Sequence, residues 1–168
     1  LLKELPNGRL AVLLSDGMGM GAPAARESRA VVSLLERLME TGFGQQAAVK
    51  TLNSVLLLKS PSERFATVDL AMVDLETGEA EFIKIGAAPS FLVRDGRLRI
   101  ISAGAPPVGV LSDIDVRPTR LALRPGDILV MVTDGVMDPR YPAGPGEGSL
   151  RHFLKRAGGM PPQGLADA

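Results

Sequence analysis

Cysteine is absent from this 168-residue chain. That absence excludes disulfides, thiolate metal sites and cysteine nucleophiles together, and it fits a cytoplasmic protein. No apolar run approaches the ~18–20 residues that span a bilayer, so any membrane attachment is expected only through a region outside this chain. The opening LLKELPNGRL lacks a sustained apolar core after a basic start and is not a signal peptide. Charge of one sign is lacking too. Lysine plus arginine number 19, aspartate plus glutamate number 19, and no long basic run occurs, which argues against a nucleic-acid partner. Histidine occurs once, as His152 among Arg151, Lys155 and Arg156, where a solvated surface position is the expectation.

What is present is an ordinary globular composition, 45% hydrophobic and 23% charged, which suits one domain over residues 1–168. Nineteen glycines and thirteen prolines punctuate the apolar runs as turns. The exception is Pro139–Gly148, PRYPAGPGEG, expected to be a flexible loop.

Arg9–Ser15 is a nearly continuous apolar run, expected as a strand buried on both faces. It ends in Asp16, followed by Gly17, Gly19 and Gly21. From Pro23 the period becomes helical, with Val31, Leu34, Leu35 and Leu38 on one side and Gly42 as the stop. A second helix is expected over Gly44–Leu58, with Ala48, Leu52, Val55 and Leu56 inward and Pro61 ending it. Then the period falls to two. Ala66–Leu75 puts Val68, Leu70 and Met72 on one face and Thr67, Asp69 and Ala71 on the other, where solvent is the default for Asp69 and a supporting contact near a bound cation the alternative. Glu76–Glu79 reads as a turn and Ala80–Ile85 as the returning strand. Ser90–Arg94 and Arg97–Ile101 flank the hairpin signal Asp95-Gly96. A further strand is expected within Val116–Leu123, where Pro118 argues for an edge or a bulge. Arg124–Asp127 turns into Ile128–Thr133, a second wholly apolar strand, which leads to Asp134-Gly135. A short basic helix is expected over Leu150–Ala157, and Pro161-Pro162 can open one more. Two helices followed by strands on short turns imply antiparallel sheets in an α+β fold.

GMGMGA at Gly17–Ala22 fits the dinucleotide fingerprint G-x-G-x-x-G/A. That fold needs a parallel strand about 20 residues later, ending in an acid. Here a helix leads to a helix and the later strands form hairpins, so the fingerprint is set aside. An Asp-Gly turn with no chemistry remains a simple alternative for Asp16. Against it stands the repetition, because a second apolar run also delivers an aspartate followed by glycine, Asp134-Gly135. Two such carboxylates suit a hard cation, and Gly17 would leave its carbonyl reachable.

SDGMGMG at Ser15–Gly21 resembles the D-G-M-G motif of bacterial protein phosphatase 2C-class serine/threonine phosphatases, above all the phosphatase domain of the stage II sporulation protein E family. KTLNSVL at Lys50–Leu56, TVDLAMVDL at Thr67–Leu75, KIGAAPSFLVR at Lys84–Arg94, PPVGV at Pro106–Val110 and LRPGDILVMVTDGVMD at Leu123–Asp138 follow in the family's order. The resemblance implies an α-β-β-α sandwich of two antiparallel sheets flanked by helices. It implies that Asp16 bridges two Mn²⁺ or Mg²⁺ ions, that Gly17 lends its carbonyl, and that Asp134 binds one ion. Asp16 and Asp134 are then the catalytic residues, serving a water that attacks phosphorus in line. The implied partner is a phosphorylated anti-sigma-factor antagonist, dephosphorylated on serine in sporulation; a homodimer is left open. The family's G-D acid before the opening segment and its D-D-x-T acid near the end have no counterpart here. The expectation is therefore a domain truncated at both ends, with weak metal affinity, or else an inactive domain that binds a partner.

Overall fold

A computed structural model describes residues 1–59, 65–102, 104–137, 146–156 and 160–167. The chain divides into two compact units, Leu1–Ala87 with Ala103–Ala122, and Ala88–Ser102 with Leu123–Ala168.

The first unit holds a five-stranded antiparallel sheet of β1 (Leu2–Glu4), β2 (Arg9–Leu14), β3 (Val68–Asp74), β4 (Glu79–Ile85) and β7 (Thr119–Ala122), in the order β1-β2-β3-β4-β7. No strand was expected at Leu2–Glu4; a tight turn closes it onto β2, with Leu5 N–H donating to the Arg9 carbonyl at 2.7 Å. Helices α1 (Gly21–Glu40) and α2 (Gln45–Lys59) follow β2. Val31, Leu35 and Met39 of α1 and Ala48, Val49, Leu52 and Leu56 of α2 share one core with Ala11, Leu13, Val68, Leu70, Met72, Ile83 and Ile85 of the sheet. These are the inward positions that the 3.6 and 2.0 periods give. Gly42, at φ +89°, ends α1 in the left-handed conformation that frees the last carbonyls for capping. Gly42 N–H reaches the Met39 carbonyl and Phe43 N–H the Leu38 carbonyl, at 3.1 and 3.0 Å. The expected role of Pro61 falls outside the described residues.

The opposite face of the β3–β4 pair is buried as well, and there one expectation fails. Asp69 is 2% exposed, not in solvent. Its register partner across the pair is Lys84, and Lys84 Nζ lies 2.6 Å from Asp69 Oδ2. The expectation fails because that face is covered, with Ala71, Ala80 and Phe82 buried along it. Asp74 Oδ1 accepts from Glu76 N–H, Thr77 N–H and Thr77 Oγ1 at 3.1, 2.9 and 3.0 Å, so the loop is Leu75–Gly78. That closes the hairpin earlier than the expected Glu76–Glu79 turn and brings Lys84 opposite Asp69. β7 begins directly after Pro118 and pairs only with β4, as an edge.

The second unit holds a three-stranded antiparallel sheet, β6 (Arg97–Ile101), β5 (Ser90–Arg94) and β8 (Ile128–Val130), in the order β6-β5-β8. Asp95 and Gly96, at φ +49° and +70°, form the expected two-residue hairpin turn. Phe91, Val93, Leu150 and Leu154 are its buried core, joined by Ile128, Val130 and Phe153. The strand expected over Ile128–Thr133 is only Ile128–Val130, and it is half-exposed because it lies at the sheet's edge. Helix α3 (Asp134–Met137) follows, then α4 (Gly146–Arg156) and α5 (Pro162–Ala166). Gly146–Gly148, expected as loop, is the first turn of α4; residues 138–145 lie outside the described set. His152 is exposed on α4, as expected.

Candidate metal centre

The loop after β2 is fixed on both sides of Asp16. The Asp16 N–H donates to Thr67 Oγ1 at 2.8 Å, and the Asp16 carbonyl accepts from Thr67 N–H at 2.8 Å. Gly17 pairs with Ala66 in an isolated antiparallel bridge, Ala66 pairs with Val108, and Met18 N–H donates to the Phe65 carbonyl at 3.1 Å. From the helix side, Ser28 Oγ donates to the Ser15 carbonyl at 2.7 Å. The result is a half-buried aspartate whose main chain has little freedom, which is what holding a cation at a fixed place requires.

Gly17 is required by space and not by conformation. A Cβ built there would lie 2.3 Å from the Ala24 carbonyl oxygen, inside the first turns of α1. The bare Cα lets α1 pack directly against the loop. Gly19 and Gly21 have the other reason, φ +90° and +75°, which carries the chain into the helix. Met18 and Met20 are 52% and 82% exposed, so the packing role usual for methionine does not hold here.

Asp16 and Gly17 thus sit together on one loop of the first unit. Asp134 belongs to the second unit, where it is exposed and opens α3. It stands four residues beyond the end of β8, not at a strand tip; Val136 N–H, bonded to the Thr133 carbonyl at 3.1 Å, marks the turn that carries it. The donors are oxygen atoms, the class that Mg²⁺ and Mn²⁺ take. In number they are few: among the described residues no group of three or more aspartates, glutamates or histidines is placed to hold an ion.

Sequence reasoning missed the Asp69–Lys84 pair. Burial holds the Lys84 ammonium below its ordinary pKa, and Asp69 opposes that shift. Leu14 and Asp69 are register partners, and Thr67 lies two residues before Asp69, so the pair underlies the strands that hold Asp16. The available signal was two opposite charges in adjacent apolar strands.

The fold matches the structure of the PP2C phosphatase domain and a fragment of the regulatory domain of SpoIIE from Bacillus subtilis, with a TM-score of 0.83 and 31% identity, over 99% of this chain and 51% of that one. This fold, with its aspartate-glycine loop, is that of protein phosphatase 2C domains. The sequence profile of stage II sporulation protein E (SpoIIE) matches residues 6–168, and the chain belongs to that family. The Bacillus subtilis (strain 168) stage II sporulation protein E is 36% identical over 137 residues, 82% of this chain but 17% of that protein. The phosphoserine phosphatase RsbP of the same organism is 24% identical over 141 residues, 81% of this chain and 35% of that protein. This chain therefore spans about a sixth to a third of the length of these two relatives.

Proposed function

We propose that this chain is the catalytic part of a metal-dependent protein-serine phosphatase, acting on a phosphorylated anti-sigma-factor antagonist in the cytoplasm. The observation that carries the reading is the clamp on Asp16: two hydrogen bonds between its main chain and Thr67, and the close approach of Ala24 to Gly17, fix the backbone that carries the Asp16 carboxylate and the Gly17 carbonyl. Family membership and the phosphoserine chemistry in the name of RsbP support it.

In this reading Asp16, Gly17 and Asp134 hold the Mn²⁺ or Mg²⁺ ions. Such ions lower the pKa of bound water and neutralise phosphoryl charge. The chain's own residues contribute position. Thr67 fixes the main chain of Asp16, Ser28 ties the preceding carbonyl to α1, and Gly17 admits the helix. With no cysteine, the chain offers no thiolate for a phosphocysteine route. Among the described residues no helix is long and apolar enough to cross a membrane.

A second reading is favoured by the scarcity of ligands: a catalytically silent domain that binds a partner protein. The two separate in one assay, phosphate release from a phosphoserine protein with Mn²⁺, using the protein at its natural length. Turnover that EDTA and Asp16→Asn both abolish supports the phosphatase. Absence of turnover in the wild type supports the silent domain.

A further inference from the structure

The β5–β6 hairpin of the second unit carries a cluster of arginines that the phosphatase reading does not use. Arg94, Arg97, Arg99 and Arg124 line a concavity of about 450 Å³, with Leu92 and Leu98 between them and Asp95 at the turn. Arg94 and Arg97 are direct register partners, and Arg99 pairs with Leu92 on the same face. Two like charges set directly opposite each other disfavour a hairpin. Asp127 offsets part of this, because its carboxylate takes Arg94 Nε at 2.8 Å and Arg94 Nη2 at 2.5 Å, and also the Arg124 N–H at 2.8 Å. Arg97, Arg99 and Arg124 are exposed, and none of them has an ion pair among the described residues. The whole chain is neutral, so this is a local excess and not a property of the composition.

Cations on an edge strand often serve only to discourage edge-to-edge pairing. That account covers Arg97 and Arg99, because β6 is an edge strand. It does not cover Arg94 on the central strand β5, nor Arg124 on a separate turn that Asp127 ties to Arg94. The cluster is gathered from three chain segments onto one face. Guanidinium groups are suited to paired recognition of carboxylates, and Arg97 and Arg99 alternate at the period of a strand.

From this juxtaposition we propose that the β5–β6 hairpin is a docking surface for an acidic, extended segment of a protein partner, laid along β6 with carboxylates at alternate positions. Strand addition supplies main-chain hydrogen bonds, and Arg97 and Arg99 with Arg94 and Arg124 behind them supply the choice of charge. The surface is independent of phosphate hydrolysis.

The test uses the protein at its natural length and a fluorescein-labelled peptide, Thr-Glu-Val-Glu-Val-Glu-Thr, followed by fluorescence anisotropy. The expected result is saturable binding that weakens as NaCl rises from 0.05 to 0.5 M, about as screening dictates. It falls about tenfold or more in Arg97→Glu/Arg99→Glu. The Gln-for-Glu peptide does not bind, and Arg97→Lys/Arg99→Lys retains partial affinity. Circular dichroism and the melting temperature show whether each variant is folded; if the charge reversal fails to fold, Arg124→Glu replaces it, with the same expected loss. Equal affinity for the glutamine peptide, unchanged binding in the variants, or tighter binding to poly(U) RNA or phosphatidylglycerol vesicles than to the peptide overturns the proposal.

Discussion

Replacing Asp69 by alanine removes the counter-ion of a buried ammonium. Lys84 is 3% exposed and its Nζ is 2.6 Å from Asp69 Oδ2, so the loss cannot be made good by water without opening the sheet. At that distance, with an effective dielectric of about 20, the attraction is about 6 kcal/mol. Part of it is offset by the cost of burying two charges. The net destabilisation expected for Asp69→Ala is about 3–5 kcal/mol, read from urea unfolding at pH 7. Asp69→Leu with Lys84→Met removes both charges and should cost far less than the single change, or even stabilise. The difference is the coupling energy of a double-mutant cycle. The pH dependence follows from the same residue. Burial lowers the folded-state pKa of Lys84, so between that value and its ordinary value the unfolded chain binds more protons. Stability contributed by this group therefore rises with pH through that window. Without Asp69 the folded-state pKa falls further, so Asp69→Ala should recover stability as the solution is made alkaline. A loss below about 1 kcal/mol at pH 7 would refute the reasoning, and so would a loss that stays flat up to the ordinary lysine pKa.

Other substitutions test the clamp around Asp16. Gly17→Ala puts a methyl group 2.3 Å from the Ala24 carbonyl oxygen, so α1 must shift; we expect a cost of about 1–3 kcal/mol in denaturant unfolding and loss of phosphatase activity. Thr67→Val deletes the acceptor of the Asp16 N–H, at a cost of about 1–3 kcal/mol, and should raise the Mn²⁺ concentration needed for half-maximal activity; Thr67→Ser should restore both. The hydrogen bonds from Arg94 hold the Asp127 carboxyl below the usual carboxylate range. Its stability contribution is therefore present above that range and lost as pH falls through the lowered value, and Asp127→Asn should flatten this acid limb in melting experiments.

Much of the fold can be read from residue periods because single properties decide them. The step from period 3.6 to period 2 after residue 59 separates α1 and α2 from the sheets, and Asp95-Gly96 fixes its hairpin through left-handed backbone. Register is harder, because it depends on where a turn closes. The carboxylate of Asp74 sets the loop at Leu75–Gly78, and a displacement of the turn changes the partner of Asp69. The extent of β8 was likewise hidden, because an apolar run does not say whether a strand is central or at an edge. At the site, Asp16 and Gly17 stood out by motif. Two facts about them did not: that Gly17 is needed for the approach of Ala24, and that Thr67 grips Asp16 from fifty-one residues away. Both are long-range contacts with no local pattern.

The central proposal is that Asp16 and Asp134 are metal ligands. Mn²⁺ affinity measured by titration calorimetry on the protein at its natural length, for Asp16→Asn and for Asp134→Asn, tests it directly. The account predicts that each change costs about tenfold or more in affinity. Wild-type affinity in either variant would contradict it.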